Sequence, residues 1–250
     1  MGEINRIMEK IITYENLRSF TYSNDKICTQ PIRGIVIDHC WLGQQAMHKE
    51  NPAEGKLYAE HGILFLIPYS NPWGWMNRQA LAFAEEILDV IMAKYNLPDN
   101  TPIVSTGTSM GGLATLVYTR YAKRTPVACV ANCPVCDLVY HFTERPDLPR
   151  TLYSAFFNYE GTMEDALKLN SPLHLAKEMP DSEYTLFHGD ADTAVNIHKH
   201  SDRFVEAMKE TGHRITYYVD PNREHNDLTP EMSELLRKTV LDAIDKYSNK

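Results

Sequence analysis

The sequence predicts an α/β architecture: a mostly parallel central sheet with helices on both faces and one short lid-like insertion. Three observations carry this. Short β-branched apolar runs alternate with helical periodicities along most of the chain. Several of those runs are apolar at consecutive positions, as strands covered on both faces must be. The 250 residues, 43% hydrophobic and 23% charged, suit a single domain over 1–250. A chain of this size buries roughly three quarters of its unfolded surface and needs no disulfide or metal to hold a core.

Residues 19–30 read as a hairpin turning at Ser23, Asn24 and Asp25. Strands follow at 33–38, at 62–67 (stopped by Pro68), at 102–105, 127–131, 184–187 and 214–219. Helices lie between them. Over 78–95, Leu81, Ala84, Leu88, Ile91 and Tyr95 fall on one face. Over 110–123 the apolar repeat is Leu113, Leu116, Val117 and Tyr121. Over 196–211 it is Ile197, Phe204, Val205 and Met208, with Gly212 as a stop. Residues 230–247 close the chain with Leu236, Val240, Ile244 and Tyr247. One stretch breaks the alternation. Residues 137–170 are rich in Tyr, Phe, Pro and Arg, and a long insertion inside a compact domain reads as a lid or binding loop.

Charge and composition narrow the function. Lys and Arg total 25 against 33 Asp and Glu, a net charge of −8. Such a surface is a poor partner for nucleic acid or anionic lipid. No apolar run approaches the roughly 18–20 residues of a membrane span, so no membrane association is expected. The first ten residues carry charges within their apolar stretch, unlike a secretory signal. Five cysteines (Cys28, Cys40, Cys129, Cys133 and Cys136) fit reduced thiols of a cytoplasmic protein better than a disulfide framework. Cys133 and Cys136 have metal-like spacing but no second pair, so core or pocket-wall roles are expected and no metal site. No glycine-rich nucleotide loop follows a strand, and no cofactor is expected.

The strongest local signal is Gly107-Thr108-Ser109-Met110-Gly111-Gly112. A strand precedes it and a helix follows, the context of a nucleophile elbow. Small residues permit the tight turn, the serine hydroxyl projects above the sheet, and Met110 N–H points into the same space with a helix N-terminus behind it. A serine needs a base. An acid and then a histidine should follow at later strand ends. Asp190 and Asp192 stand after the strand at 184–187, and His225 after the strand at 214–219. Among the ten histidines, His188 reads as loop support, and His198 and His200 as solvated helix residues.

Ser171-Pro172-Leu173, the run Phe187-His188-Gly189-x-x-Asp192-x-x-Val195, and His225 together resemble the prolyl oligopeptidase-like catalytic domain of the α/β-hydrolase superfamily, from about Phe20 to the C-terminus. The resemblance implies a serine hydrolase in which Ser109 attacks an acyl carbonyl, His225 is the base, and Asp192 (rather than Asp190) orients the imidazole. It also implies a second oxyanion donor from the loop after the first strand. Relatives commonly have His-Gly there; this chain has His39-Cys40, so the donor is Trp41 N–H or, next, Cys40 N–H.

All three tryptophans follow strands, where ligands gather in such folds. Trp73 and Trp75 are therefore expected at the pocket mouth, with Phe142, Tyr153, Phe156 and Phe157 from the insertion as covers. Peptidases of the resembled group usually carry a substrate-screening domain, for which this length leaves no room. The expectation is thus a carboxylesterase acting on a small-molecule ester, with peptidase or amidase chemistry, or ligand binding without turnover, as alternatives. A homo-oligomer is compatible with all of these.

Overall fold

Residues 34–37 alternate in which face they serve, and that alternation sets the layers. In the computed structural model, which describes residues 11–39 and 50–248, Ile35 and Ile37 point to one side of the sheet and Val36 to the other. The strands are β1 (Thr21–Ser23), β2 (Gly34–Asp38), β3 (Ile63–Pro68), β4 (Ile103–Thr108), β5 (Ala128–Asn132), β6 (Glu183–Gly189) and β7 (Ile215–Asp220). They form one sheet in the order β1-β3-β2-β4-β5-β6-β7. Only β1 is antiparallel.

The helices are α1 (Ala53–Glu60), α2 (Arg78–Lys94), α3 (Met110–Tyr121), α4 (Leu138–Glu144), α5 (Leu148–Phe156), α6 (Met163–Lys168), α7 (Pro172–Leu175), α8 (Ser201–Glu210) and α9 (Pro230–Ser248). On one face Ile35, Ile37, Leu64 and Leu66 pack against Ile87, Leu88 and Ile91 of α2 and Leu113 and Val117 of α3. On the other, Val36, Phe65, Ile67 and Val104 meet Val240 and Ile244 of α9. A third cluster joins Leu186 of β6 to Phe204 and Met208 of α8. This is the α/β-hydrolase arrangement, with helices on both faces of a mostly parallel sheet.

Three expectations change. The hairpin at 19–30 is instead β1 paired with β3, because Asn24 is pulled into the sheet: its amide donates to Gly55 O and Ile63 O, and its side-chain oxygen accepts from Phe65 N. The helix expected from 196 begins at Ser201, after a turn in which Asn196 Oδ1 accepts from His198 N and Lys199 N. Residues 138–168 are three short helices rather than a loop. Their apolar side packs Leu148, Leu152, Phe156 and Leu167 into the main core. No helix among the described residues is long and apolar enough to cross a membrane.

Candidate active site

Four chain segments leave the carboxyl ends of adjacent strands β4, β5, β6 and β7, and their first residues converge. β4 runs directly into Ser109, whose backbone sits at φ 59°, ψ −119°, and α3 begins at Met110. A non-glycine residue in this region is strained and is held by its surroundings. Ser109 N–H donates to Asn132 O (2.9 Å) at the end of β5. The turn also requires Gly107: a Cβ there would lie 2.3 Å from the carbonyl oxygen of Gly111. As the first residue of α3, Met110 has no preceding carbonyl within the helix for its N–H, which is left for a ligand oxyanion.

Ser109 Oγ lies 2.8 Å from His225 Nε2, and His225 Nδ1 lies 2.7 Å from Asp192 Oδ2. The carboxylate is fully engaged. Its Oδ1 accepts from Ala194 N (2.9 Å) and Val195 N (2.8 Å), and its Oδ2 also accepts from His188 Nε2 (3.1 Å). His188 Nε2 faces a second acceptor, Val195 O, so it carries the ring's proton, and its Nδ1 accepts from Ser201 Oγ (2.7 Å). Burial disfavours the Asp192 anion, but these donors outweigh it and hold the carboxyl well below its ordinary range. Burial likewise disfavours the His225 imidazolium. Asp192 and the neighbouring Cys133 sulfur outweigh it and raise the imidazole above its ordinary range. Asp192 therefore fixes the tautomer with Nδ1–H toward itself and leaves the Nε2 lone pair toward the serine.

The alternative acid, Asp190, is used elsewhere: its Oδ1 accepts from Asn222 N (2.6 Å) and ties the loop that carries His225. Gly189 lets that loop approach, since a Cβ would stand 2.3 Å from Arg223 O. His200 is not solvated. It is fully buried, and its Nδ1 accepts from Cys136 N and Asp137 N, both at 3.1 Å.

A cavity of about 190 Å³ opens beside Ser109 and His225, walled by Trp73, Trp75, Val135, Leu148 and Val195, with His141, Arg145 and Asn226 as further polar members. Trp75 has a left-handed backbone (φ 48°), and its indole N–H donates to Thr151 Oγ1 (3.1 Å), tying the loop after β3 to α5. The insertion contributes differently from expectation. On α5, Leu148, Leu152 and Phe156 recur every four residues and face inward. Phe156 is core, at 1% exposure, and Tyr153 and Phe157 stand in solvent, at 61% and 65%. Phe142 is half-buried against the main core and does not line the cavity. Cys40 and Trp41 lie outside the described residues. His141 and Asn226 are site neighbours that the sequence reading missed, and Cys133, expected as a core or pocket-wall thiol, stands beside them. Cys133 Sγ donates to Asn226 Oδ1 (3.0 Å), and no local pattern marks His141 or Asn226.

The sequence pattern of the prolyl oligopeptidase family matches residues 84–250. Among solved structures, the chain is similar to a puromycin-hydrolyzing peptidase of Mycobacterium tuberculosis (15% identity, 88% of this chain and 34% of that one, TM-score 0.70). It is also similar to a puromycin hydrolase (14%, 88% and 34%, TM-score 0.67) and to an acylaminoacyl peptidase solved with a peptide chloromethyl ketone (16%, 87% and 37%, TM-score 0.65). The chain spans about a third of the length of these proteins. At such identities the likeness is one of fold. Among curated proteins, none matches the sequence.

Proposed function

This chain belongs to the prolyl oligopeptidase family of serine hydrolases, and we propose that it is a peptidase or amidase that cleaves short aminoacyl or peptidyl substrates through an acyl-enzyme on Ser109. The family match favours amide chemistry over the carboxylesterase reading, which rested on chain length alone. The observation that carries the chemistry is the unbroken hydrogen-bonded series Ser109–His225–Asp192 at the rim of the sheet. A binding protein without turnover has no need of a strained serine aligned on a carboxylate-held imidazole.

Ser109 Oγ attacks the carbonyl carbon while its proton passes to His225 Nε2. The oxyanion that develops accepts from Met110 N–H. Asp192 stabilises the imidazolium, which then protonates the leaving amine. Water repeats the sequence in reverse roles and releases the acid. The serine hydroxyl is regenerated and no external oxidant or cofactor is consumed.

Activated esters react with peptidases as well as esterases, so amide turnover discriminates. The protein is incubated with aminoacyl and dipeptidyl aminomethylcoumarin amides, with p-nitrophenyl butyrate, and with a fluorophosphonate, alongside Ser109→Ala. The reading expects amide turnover and labelling, both lost in the variant. Ester cleavage with no amide cleavage would return the carboxylesterase reading; absence of labelling in the unmodified protein would favour a binding role.

A further inference from the structure

The insertion carries a second carboxylate–histidine pair. His141 Nδ1 lies 2.6 Å from Glu144 Oε2, and His200 Nε2 lies 3.2 Å from the same oxygen. The protons can be placed. His200 Nδ1 accepts from two backbone amides, so its proton sits on Nε2 and is donated to Glu144. Burial would raise the Glu144 carboxyl, but hydrogen bonds from His141 and His200 hold it down at about 2, so it is an acceptor only. His141 must therefore carry its proton on Nδ1. Burial, opposed by Glu144, lowers its pKa, so the ring is neutral and Nε2 bears a lone pair. The same bookkeeping excludes a metal between the three, because His200 has no second lone pair to offer.

His141 is 3% exposed, and its Nε2 has no hydrogen-bond partner among the described residues. That nitrogen is not one of the fully buried unpaired side-chain atoms, so it stays open to a donor that enters the cavity. The ring is clamped edge-on by Trp75 (5.5 Å between centroids) and by His200 (5.4 Å). It lines the cavity that Ser109 and His225 also line, among mostly apolar walls. Of the other polar wall residues, Arg145 is engaged by Asp147 through two contacts (3.0 and 2.6 Å), and Asn226 Oδ1 accepts from Cys133 Sγ (3.0 Å). At about 190 Å³ the cavity is smaller than the roughly 300–1,000 Å³ of sites for drug-sized ligands, and suits one residue.

We infer that His141 is a specificity-determining residue whose Nε2 accepts a hydrogen bond from an N–H on the α-carbon of the acyl residue, so that the pocket selects aminoacyl or N-acylaminoacyl groups over plain acyl groups. The inference rests on the hydrolase reading above. Glu144 and His200 are positioning residues that fix the tautomer. A free amine and an acylated amine share the N–H.

The test compares alanyl, N-acetylalanyl and propionyl amides of aminomethylcoumarin, the last lacking the α-nitrogen. Within one enzyme the ratio of kcat/KM cancels differences in folded fraction. His141→Leu is expected to lower the ratio of the better α-nitrogen substrate to the propionyl amide by at least about tenfold. His141→Gln, which restores an acceptor, should recover part of it. The better of the two α-nitrogen arms tells a free amine from an acylated one. An unchanged ratio in His141→Leu overturns the inference. So does an unmodified protein that cleaves the propionyl amide as fast as both others, which needs no variant at all. In either case fluorophosphonate labelling of Ser109 leaves the hydrolase reading standing; no labelling of the unmodified protein removes both.

Discussion

His225 works only because its two nitrogens see different neighbours. Asp192 Oδ2 holds Nδ1 at 2.7 Å, so Nε2 faces Ser109 Oγ at 2.8 Å with its lone pair free to take a proton. The base must be neutral to act, and its pKa lies above the ordinary imidazole value. The sign follows: activity is low where His225 is protonated and rises as pH passes its raised pKa. We expect kcat/KM for a neutral substrate to keep climbing above pH 7 rather than level off near the roughly 6.5 of a free imidazole. A stopped or flat profile from pH 5 to 8 would contradict the raised value. Asp192→Asn should reduce kcat by about 10⁴, through loss of the correct tautomer, as steady-state kinetics would show. Asp190→Asn, which loses only a loop contact to Asn222 N, should cost far less.

At the scale of elements, the insertion makes the clearest energetic contrast. Phe156 lies in the main core and Phe157, the next residue, is 65% exposed. Phe156→Ala should cost about 3–5 kcal/mol in urea unfolding, and Phe157→Ala or Tyr153→Ala within about 0.5 kcal/mol. The same helix shows what was legible in the sequence. Its four-residue repeat of Leu148, Leu152 and Phe156 is a helical signal, but Pro146 and Pro149 on either side of Leu148 and the aromatic residues around it read as loop. β2 and β3 were legible because each carries a consecutive apolar run, which only a strand buried on both faces needs. α1 was not: it contains Gly55 and its polar residues obscure the apolar side. Asn24 was read as a turn residue because its side chain mimics backbone in turns; here it uses that same ability to cross-link β3 to α1. The triad was legible by chain order and strand context. His141 was not, since what makes it notable is a partner, His200, that lies 59 residues away in the sequence (200 − 141).

Across the whole molecule, the sheet turns sequence distance into contact. Ser109 and His225 are 116 residues apart, yet parallel pairing of β4 to β5, β5 to β6 and β6 to β7 brings their strand ends to one rim. The same arrangement places buried and half-buried carboxylates where acid weakens them. The carboxyl of Glu144 has a folded-state pKa of about 2 against an ordinary 4.5. A depressed folded value means its stabilising effect is present above the unfolded pKa and is lost as pH falls from about 4.5 toward 2. Asp192 acts with the same sign. Glu144→Gln should lower neutral-pH stability by about 1–3 kcal/mol and flatten the acid limb of a urea-unfolding series over that window. An unchanged acid limb would show that the Glu144 carboxylate is not coupled to folding.

Covalent capture tests the central claim most directly: that a strained serine, an imidazole and a carboxylate from three strand ends act as one nucleophilic unit. The protein is treated with a fluorophosphonate, digested, and the adduct located by mass spectrometry, with His225→Ala treated in parallel. The account predicts a single adduct on Ser109, formed at least about 10³-fold more slowly in the variant. An unreactive Ser109 in the unmodified protein, or equal reactivity after the imidazole is removed, would contradict it.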